Sequence, residues 1–128
     1  MVSTTHAFHI PLARARTEPN EAGRLSARLF GHGTMTLRYY KPLNPDRQPV
    51  HDQDEVYIVQ RGSGWFVNEG ARHPFGPGDA LFVRANAEHR FEDFTEDLEL
   101  WAVFYGPQDG EEGEVPGGRG VSSVPRAS

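Results

Sequence analysis

Short stretches between residues 25 and 105 alternate apolar and polar residues, which is the pattern of half-buried β-strands. These stretches are rich in aromatic and β-branched residues and are bounded by Gly, Pro, Asn or Asp. No window keeps a helical period for more than about three turns, so a helix-rich fold is not expected. The pattern predicts strands at Leu25–Phe30, Thr34–Tyr40, Val56–Arg61, Gly64–Asn68, Ala80–Val83, His89–Phe94 and Leu98–Tyr105.

Many short strands at regular spacing predict an all-β fold, an antiparallel sandwich or barrel. The segment "RGSGWF" is typical of a hairpin turn, because its glycines supply positive φ. The segment "HPFGPGDALFV" contains Pro-Gly-Asp, which predicts a second turn before an apolar strand.

The chain divides into three parts by composition. Residues 1–24 are polar and mixed, and we interpret them as an N-terminal arm with room for one added strand around Ala7–Leu12. Residues 25–105 carry the periodic pattern of a single barrel. Residues 106–128 hold six Gly, three Pro and no aromatic residue. Such a segment buries too little surface to offset its ordering entropy, so a disordered tail is predicted.

Charge and cysteine content exclude several classes of function. The net charge of −5, from 13 Lys and Arg against 18 Asp and Glu, argues against a nucleic-acid or phospholipid surface. The chain has no cysteine, which excludes disulfides and thiolate metal sites. We find no export signal and no membrane-length apolar run, and we therefore expect a cytoplasmic protein.

Two motifs in the periodic part resemble those of the cupin superfamily. His51, three residues, Glu55, six residues and Gly62 reproduce the second half of that family's first motif. In "GDALFVRANAEHRFED", Gly78 and His89 keep the spacing of its second motif. The resemblance covers roughly residues 25–105 and implies a small single-domain cupin, a double-sheet jelly roll whose inner sheet forms a cup.

The sequence also departs from the family pattern. The first histidine of the family's pair falls on Pro49, which cannot bind a metal. In the second motif Arg84 replaces a proline, Asn86 a glycine and Asp93 an asparagine. A second register, with His51 as the first histidine, places Gln53 where the second belongs. Both registers remain open on the sequence alone.

His51, Glu55 and His89 are the residues that the resemblance retains from the metal site of the family. Two imidazoles and one carboxylate suit a divalent Fe, Mn, Ni or Zn ion, with positions left for substrate or water. Gln53 is a candidate fourth ligand through its amide oxygen. His51 and Glu55 would be roughly 13 Å apart in a straight strand, so the segment between them is predicted to bend. The alternative is a hydrogen-bonded cluster that has lost its metal.

Period-two alternation extends this site into a predicted substrate pocket. It places Tyr57 downstream of Glu55, and Phe91 on the same face as His89. Trp101 and Tyr105 share a face of the last strand, which we predict to be the inner one. These aromatic residues would line a pocket suited to a small organic molecule.

Three functional classes follow from this interpretation. The first is a metal-dependent dioxygenase acting on a small organic substrate. The second is a metal-assisted isomerase, lyase or sugar-modifying enzyme, with Glu55 as a candidate general base. The third is a non-catalytic binder of a small ligand. Because the apolar strand faces exceed what one small core needs, a homodimer is predicted as well.

Overall fold

The computed structural model describes residues 9–114, which form one short helix and eight strands. All observed strand pairs are antiparallel, in a five-stranded sheet of order β1-β2-β8-β3-β6 and a three-stranded sheet of order β5-β4-β7. The predicted all-β jelly roll is therefore confirmed. The elements are α1 (Leu12–Thr17), β1 (Ser26–His32), β2 (Met35–Tyr40), β3 (Asp54–Arg61), β4 (Gly64–Asn68), β5 (Ala71–Phe75), β6 (Ala80–Val83), β7 (His89–Glu92) and β8 (Glu99–Tyr105).

Every strand predicted between residues 25 and 105 is present, and the structure adds one that the pattern missed. Strand β5, "ARHPF", is exposed at four of its five positions, so it lacks the alternation that marks a half-buried strand. It contains Pro74, which an edge strand tolerates because one side of the strand has no ladder partner. β5 lies at the edge of the smaller sheet, where among residues 9–114 its strand partner is β4 alone.

The turn after β3 connects two sheets and is not the predicted hairpin. β3 belongs to the five-stranded sheet, whereas β4 belongs to the three-stranded one. Gly62 turns the chain with a φ of +92°. A Cβ atom at this position would lie 2.7 Å from the Cα of Leu98, so the close approach also requires glycine.

The N-terminal arm contains a helix where the sequence predicted an added strand. Ala7 lies outside the described residues; residues 9–11 join no strand, and the helix α1 begins at Leu12. Its Ala15 is fully buried against Tyr39 and Leu29 on the outer face of the larger sheet. With six residues, α1 is too short to cross a membrane, and no other helix occurs in residues 9–114.

The main core lies between the two sheets and consists of inward-facing residues of both. Its fully buried members from the larger sheet include Tyr57, Val59 and Leu100, and the smaller sheet contributes Phe66 and Phe91. These inward-facing residues also form the cup that holds the site described below.

The folded domain extends beyond the predicted boundary at residue 105. The backbone N–H of Gly106 donates to the Thr34 hydroxyl, and that of Asp109 donates to the carbonyl of Asp52 at 2.7 Å. The N–H of Glu111 donates to the buried carboxylate of Asp54 at 2.9 Å. Residues 106–114 are therefore part of the fold, which corrects that portion of the predicted disordered tail. The remainder, residues 115–128, lies outside the described residues.

Candidate metal centre

Three side chains that are distant in sequence converge inside the cup. His51 precedes β3, Glu55 is the second residue of β3, and His89 is the first residue of β7 in the other sheet. One nitrogen of each imidazole and one carboxylate oxygen all lie within 4.8 Å of one another. The Nε2 of His51 is 2.8 Å from Oε1 of Glu55, and the Nε2 of His89 is 3.8 Å from the same oxygen.

Backbone carbonyls orient both imidazoles. The Nδ1 of His51 lies 2.9 Å from the carbonyl oxygen of Gln53, and the Nδ1 of His89 lies 2.9 Å from that of Ala87. A carbonyl can only accept a hydrogen bond, so the ring proton of each neutral imidazole belongs on Nδ1. The unprotonated Nε2 of each ring then faces Glu55. Histidines that bind a metal usually have this arrangement.

The three converging atoms are buried and have no hydrogen-bond partner among the described residues. The short contact between His51 and Glu55 does not have the alignment of a hydrogen bond. Two nitrogen lone pairs and a carboxylate oxygen that face one another without a positive charge between them are costly to bury. A proton on His51 or a cation bound by all three groups would relieve that cost, and the donor set suits a divalent transition metal.

The local fold explains how His51 reaches Glu55. The chain bends at Asp52 and Gln53 before β3 begins, as the sequence predicted. The carbonyl of His51 accepts the N–H of Asn86 at 2.7 Å, which ties the bend to the segment before β7. The buried Asp54 accepts the N–H of Ala85 from the same segment. These bonds tie the segment of His51 to the segment of His89, whose rings lie 4.8 Å apart between centroids.

Burial and charge act differently on the two histidines. Burial lowers the pKa of His89, which keeps its imidazole neutral and able to bind a metal at neutral pH. Burial also disfavours charge on His51, but the adjacent Glu55 carboxylate outweighs it and raises the pKa of His51 overall. A proton on His51 would therefore compete with any metal ion that Glu55 binds.

A cavity of about 110 Å³ opens beside two of the three side chains, those of His51 and Glu55. It lies between the residues that lead into β1 and the loop that leads to His51. Its floor is largely aromatic, and Phe104 meets the His51 ring edge-on with centroids 4.7 Å apart. The residues that line the inner part are Tyr40, Gln48, His51, Glu55, Tyr57 and Phe104.

The structure places the four residues predicted for the substrate pocket in different positions, and two of them do not face the cavity. Tyr57 lines the cavity, and Phe91 lies behind it in the core, 5.2 Å from Tyr57 between ring centroids. Trp101 and Tyr105 belong to the opposite, outer face of β8, because Ala102 and Phe104 face the cavity. The Trp101 ring packs 5.0 Å from that of Tyr39, beside helix α1.

Gln53 is not part of the converging group. Its side-chain amide donates to the carbonyls of Thr34 and Gly106, at 3.0 and 2.9 Å. These contacts join the β1–β2 turn to the end of β8, and neither of them involves the side chains of His51, Glu55 or His89. Pro49 lines the cavity instead, which favours the register in which Pro49 replaces the first histidine of the family motif.

A group of four hydrogen-bonded residues, the polar wall, was not predicted from the sequence. It consists of Tyr40, Asp46, Gln48 and Tyr57. The carboxylate of Asp46 accepts the hydroxyl of Tyr40 at 2.5 Å and the side-chain N–H of Gln48 at 2.7 Å. The amide oxygen of Gln48 accepts the hydroxyl of Tyr57 at 2.8 Å. Burial and then Asp46 raise the pKa of Tyr40, so its hydroxyl stays protonated.

Comparison with known proteins gives one family match and several partial relatives. Residues 42–104 match the family described as Cupin domain. An uncharacterized protein of Streptomyces coelicolor is 33% identical over 63 residues, 49% of this chain and 60% of that protein. The HTH-type transcriptional activator RhaS of Klebsiella pneumoniae is 30% identical over 79 residues, 62% of this chain and 28% of the activator. The chain thus spans less than two thirds of these relatives.

Solved structures share the fold. A Cupin 2 conserved barrel domain protein from Salinispora arenicola superposes with a TM-score of 0.56 at 24% identity, over 78% of this chain and 90% of that one. At this identity the similarity concerns the fold alone.

Proposed function

We propose that this chain, which carries a small cupin-type domain, binds one divalent transition metal. The domain would then act on a small organic molecule in the adjacent cavity. His51, Glu55 and His89 would be the ligands. The observation that carries the proposal is the convergence of three buried, unpartnered donor atoms on one point. With redox-active Fe bound, the site would act as a dioxygenase. A dioxygenase is the most specific form of the proposal.

The bound metal would supply Lewis-acid or redox chemistry, and the protein residues would set the conditions for it. The backbone bonds at both Nδ1 atoms fix the rings and their tautomers before metal arrives. The aromatic floor excludes water on one side and leaves the cavity as the route for a substrate. In the isomerase or lyase alternative, Glu55 would serve as general base, since its carboxylate lines the cavity.

A second candidate function is that of a non-catalytic ligand-binding domain. It is supported by the partial match with RhaS, whose name is that of a transcriptional activator and not of an enzyme. The same cavity would then bind a small effector, with or without a metal. Activity measurements separate this alternative from the first.

The test is the metal content of the full-length, untagged protein, followed by loading with Fe(II), Mn(II), Ni(II) and Zn(II) in turn. We expect about one ion per chain for at least one of these metals. Oxygen consumption with Fe(II) and a substrate would support the dioxygenase, and turnover with Zn(II) the isomerase or lyase. Ligand binding without turnover would support the non-catalytic alternative. A protein that binds none of the four ions contradicts the metal site.

We also propose that the protein is a homodimer. Ile58 and Phe82 are 38% and 51% exposed on the outer face of β3 and β6, beside the part of that face which α1 covers. Burying this apolar patch against a second copy would stabilise both chains. Light scattering should give about twice 14.3 kDa at micromolar concentration. Phe82→Lys should shift the mass to that of one chain, whereas Leu43→Lys, on an exposed loop, should not. A single-chain mass for the unmodified protein contradicts this prediction.

A further inference from the structure

Both tyrosine hydroxyls of the polar wall donate their protons to other residues of the wall. Tyr40 donates its proton to Asp46, a carboxylate that also accepts the N–H of Phe91 at 2.9 Å. The side-chain N–H of Gln48 is held by Asp46, so the amide oxygen of Gln48 faces Tyr57 and takes its proton. Neither tyrosine has a second proton to offer. The direction of the hydrogen bonds in the wall is therefore set by Asp46.

Both tyrosine oxygens consequently meet a cavity ligand as acceptors. Tyr40, Gln48 and Tyr57 line the cavity, and the remaining lone pairs of the two tyrosine oxygens are among the polar groups that this wall presents. A ligand hydroxyl can donate to such an oxygen. A ligand carbonyl in the same place would bring two lone pairs together in a buried site, and a methyl group would leave the tyrosine oxygen without a partner.

One cationic side chain, that of Arg24, lies at the cavity rim, although the chain as a whole has a net charge of −5. Arg24 lines the cavity at its exposed end and makes no ion pair with any residue between 9 and 114. Glu21 binds the buried Arg38, and this hydrogen bond lowers the pKa of Glu21, with smaller contributions from the charges of Arg24 and Arg28. The carboxylate of Glu21 is therefore already paired with Arg38, and the charge of Arg24 at the rim is not. A ligand carboxylate at the rim would balance this charge.

The size of the cavity limits the ligand to a few atoms. An engineered apolar cavity of about 150 Å³ holds benzene, so one of about 110 Å³ accommodates roughly four or five non-hydrogen atoms. Larger groups would have to extend through the mouth toward solvent.

We propose that the cavity binds a small hydroxy acid, with its hydroxyl donating to the oxygens of Tyr40 and Tyr57 and its carboxylate toward Arg24. This assignment rests on the proposed function, because it describes the substrate or effector of the same site. The ligand must therefore have a hydrogen-bond donor at its inner end and a negative charge at its outer end.

The test uses the full-length protein with Mn(II), whose binding is measured first by electron paramagnetic resonance. Four three-carbon probes are then titrated: lactate, propanoate, pyruvate and lactamide. Lactate should bind about tenfold more tightly than propanoate or pyruvate, which lack the donor, and severalfold more tightly than the neutral lactamide. Equal affinity for lactate and pyruvate, or no binding of lactate, overturns the proposal.

Two variants separate the two ends of the ligand. Tyr57→Phe should remove most of the preference for lactate over propanoate, whereas Tyr105→Phe on the outer face should keep it. Arg24→Gln should weaken lactate but not lactamide, whereas Arg90→Gln, on β7, should change neither. A preference for lactate that survives Tyr57→Phe in a folded protein contradicts the role of the wall.

The metal measurement distinguishes failure of this proposal from failure of the proposed function. If Mn(II) binds but the four probes bind equally, the metal site stands and the hydroxy acid assignment is wrong. If no metal binds and calorimetry of the metal-free protein still shows the preference for lactate, the metal site is wrong and the ligand assignment stands.

Discussion

Replacing His89 by alanine should lower the affinity for a divalent transition metal by about a hundredfold or more. The substitution removes one of three protein donor atoms, and the remaining pair, His51 and Glu55, cannot hold a labile ion as well. The metal-free fold should survive, because the core between the sheets does not depend on a metal. Competition with a chelating dye, together with thermal unfolding of the metal-free protein, measures both effects.

The controls for this experiment address packing and charge separately. His73→Ala changes an exposed histidine of β5 and should leave metal affinity unchanged. Glu55→Gln keeps the shape of the side chain but removes its charge, and it should weaken metal binding without opening a cavity. The alternative is a hydrogen-bonded cluster that has lost its metal. It predicts that the unmodified protein binds no metal. Metal affinity that is unaffected by His89→Ala would exclude His89 as a ligand.

The strands could be predicted because burial on one side gives each of them a readable alternation. Which side faces the cup could not be predicted for β8, since both of its faces are partly covered. Leu100, Ala102 and Phe104 face the cup, while Trp101 packs under helix α1 on the outer face. Alternation identifies the two faces of a strand, but it does not show which of them faces the core when both are apolar. The error at Trp101 and Tyr105 follows from that ambiguity.

The candidate ligands could be identified from spacing, but the polar wall could not. His51 and Glu55 are close in sequence, and the resemblance to the cupin motifs supplied His89. The wall depends on Asp46 lying against Tyr40 and the backbone of Phe91, and no short motif encodes those contacts. The prediction of disorder for residues 106–114 failed for a similar reason. The main contacts of this segment are made by backbone N–H groups, and composition does not reveal such contacts.

Replacing Asp54 by alanine should lower the free energy of unfolding by about 2–3 kcal/mol. Asp54 is 1% exposed, and its two oxygens accept the N–H groups of Ala85 and Glu111, both at 2.9 Å. Alanine would leave the N–H of Ala85, itself a buried residue, without this acceptor, and it would release the segment around Glu111. Urea unfolding of the metal-free protein measures the change, and the melting temperature should fall by roughly 10 °C or more.

Two comparisons show whether this loss comes from the bonds of Asp54. Asp52→Ala changes an exposed neighbouring carboxylate and should alter stability by less than about 0.5 kcal/mol. A chain that ends at Gly106 should be less stable than one that ends at Glu114, because only the shorter chain loses the bond from Glu111. In the shorter chain Asp54→Ala should cost less than in the longer one, since one of the two acceptor roles has already gone. Equal stability of the two shortened chains would mean that residues 107–114 contribute nothing to the fold, and the bond from Glu111 would then not explain the effect of Asp54→Ala.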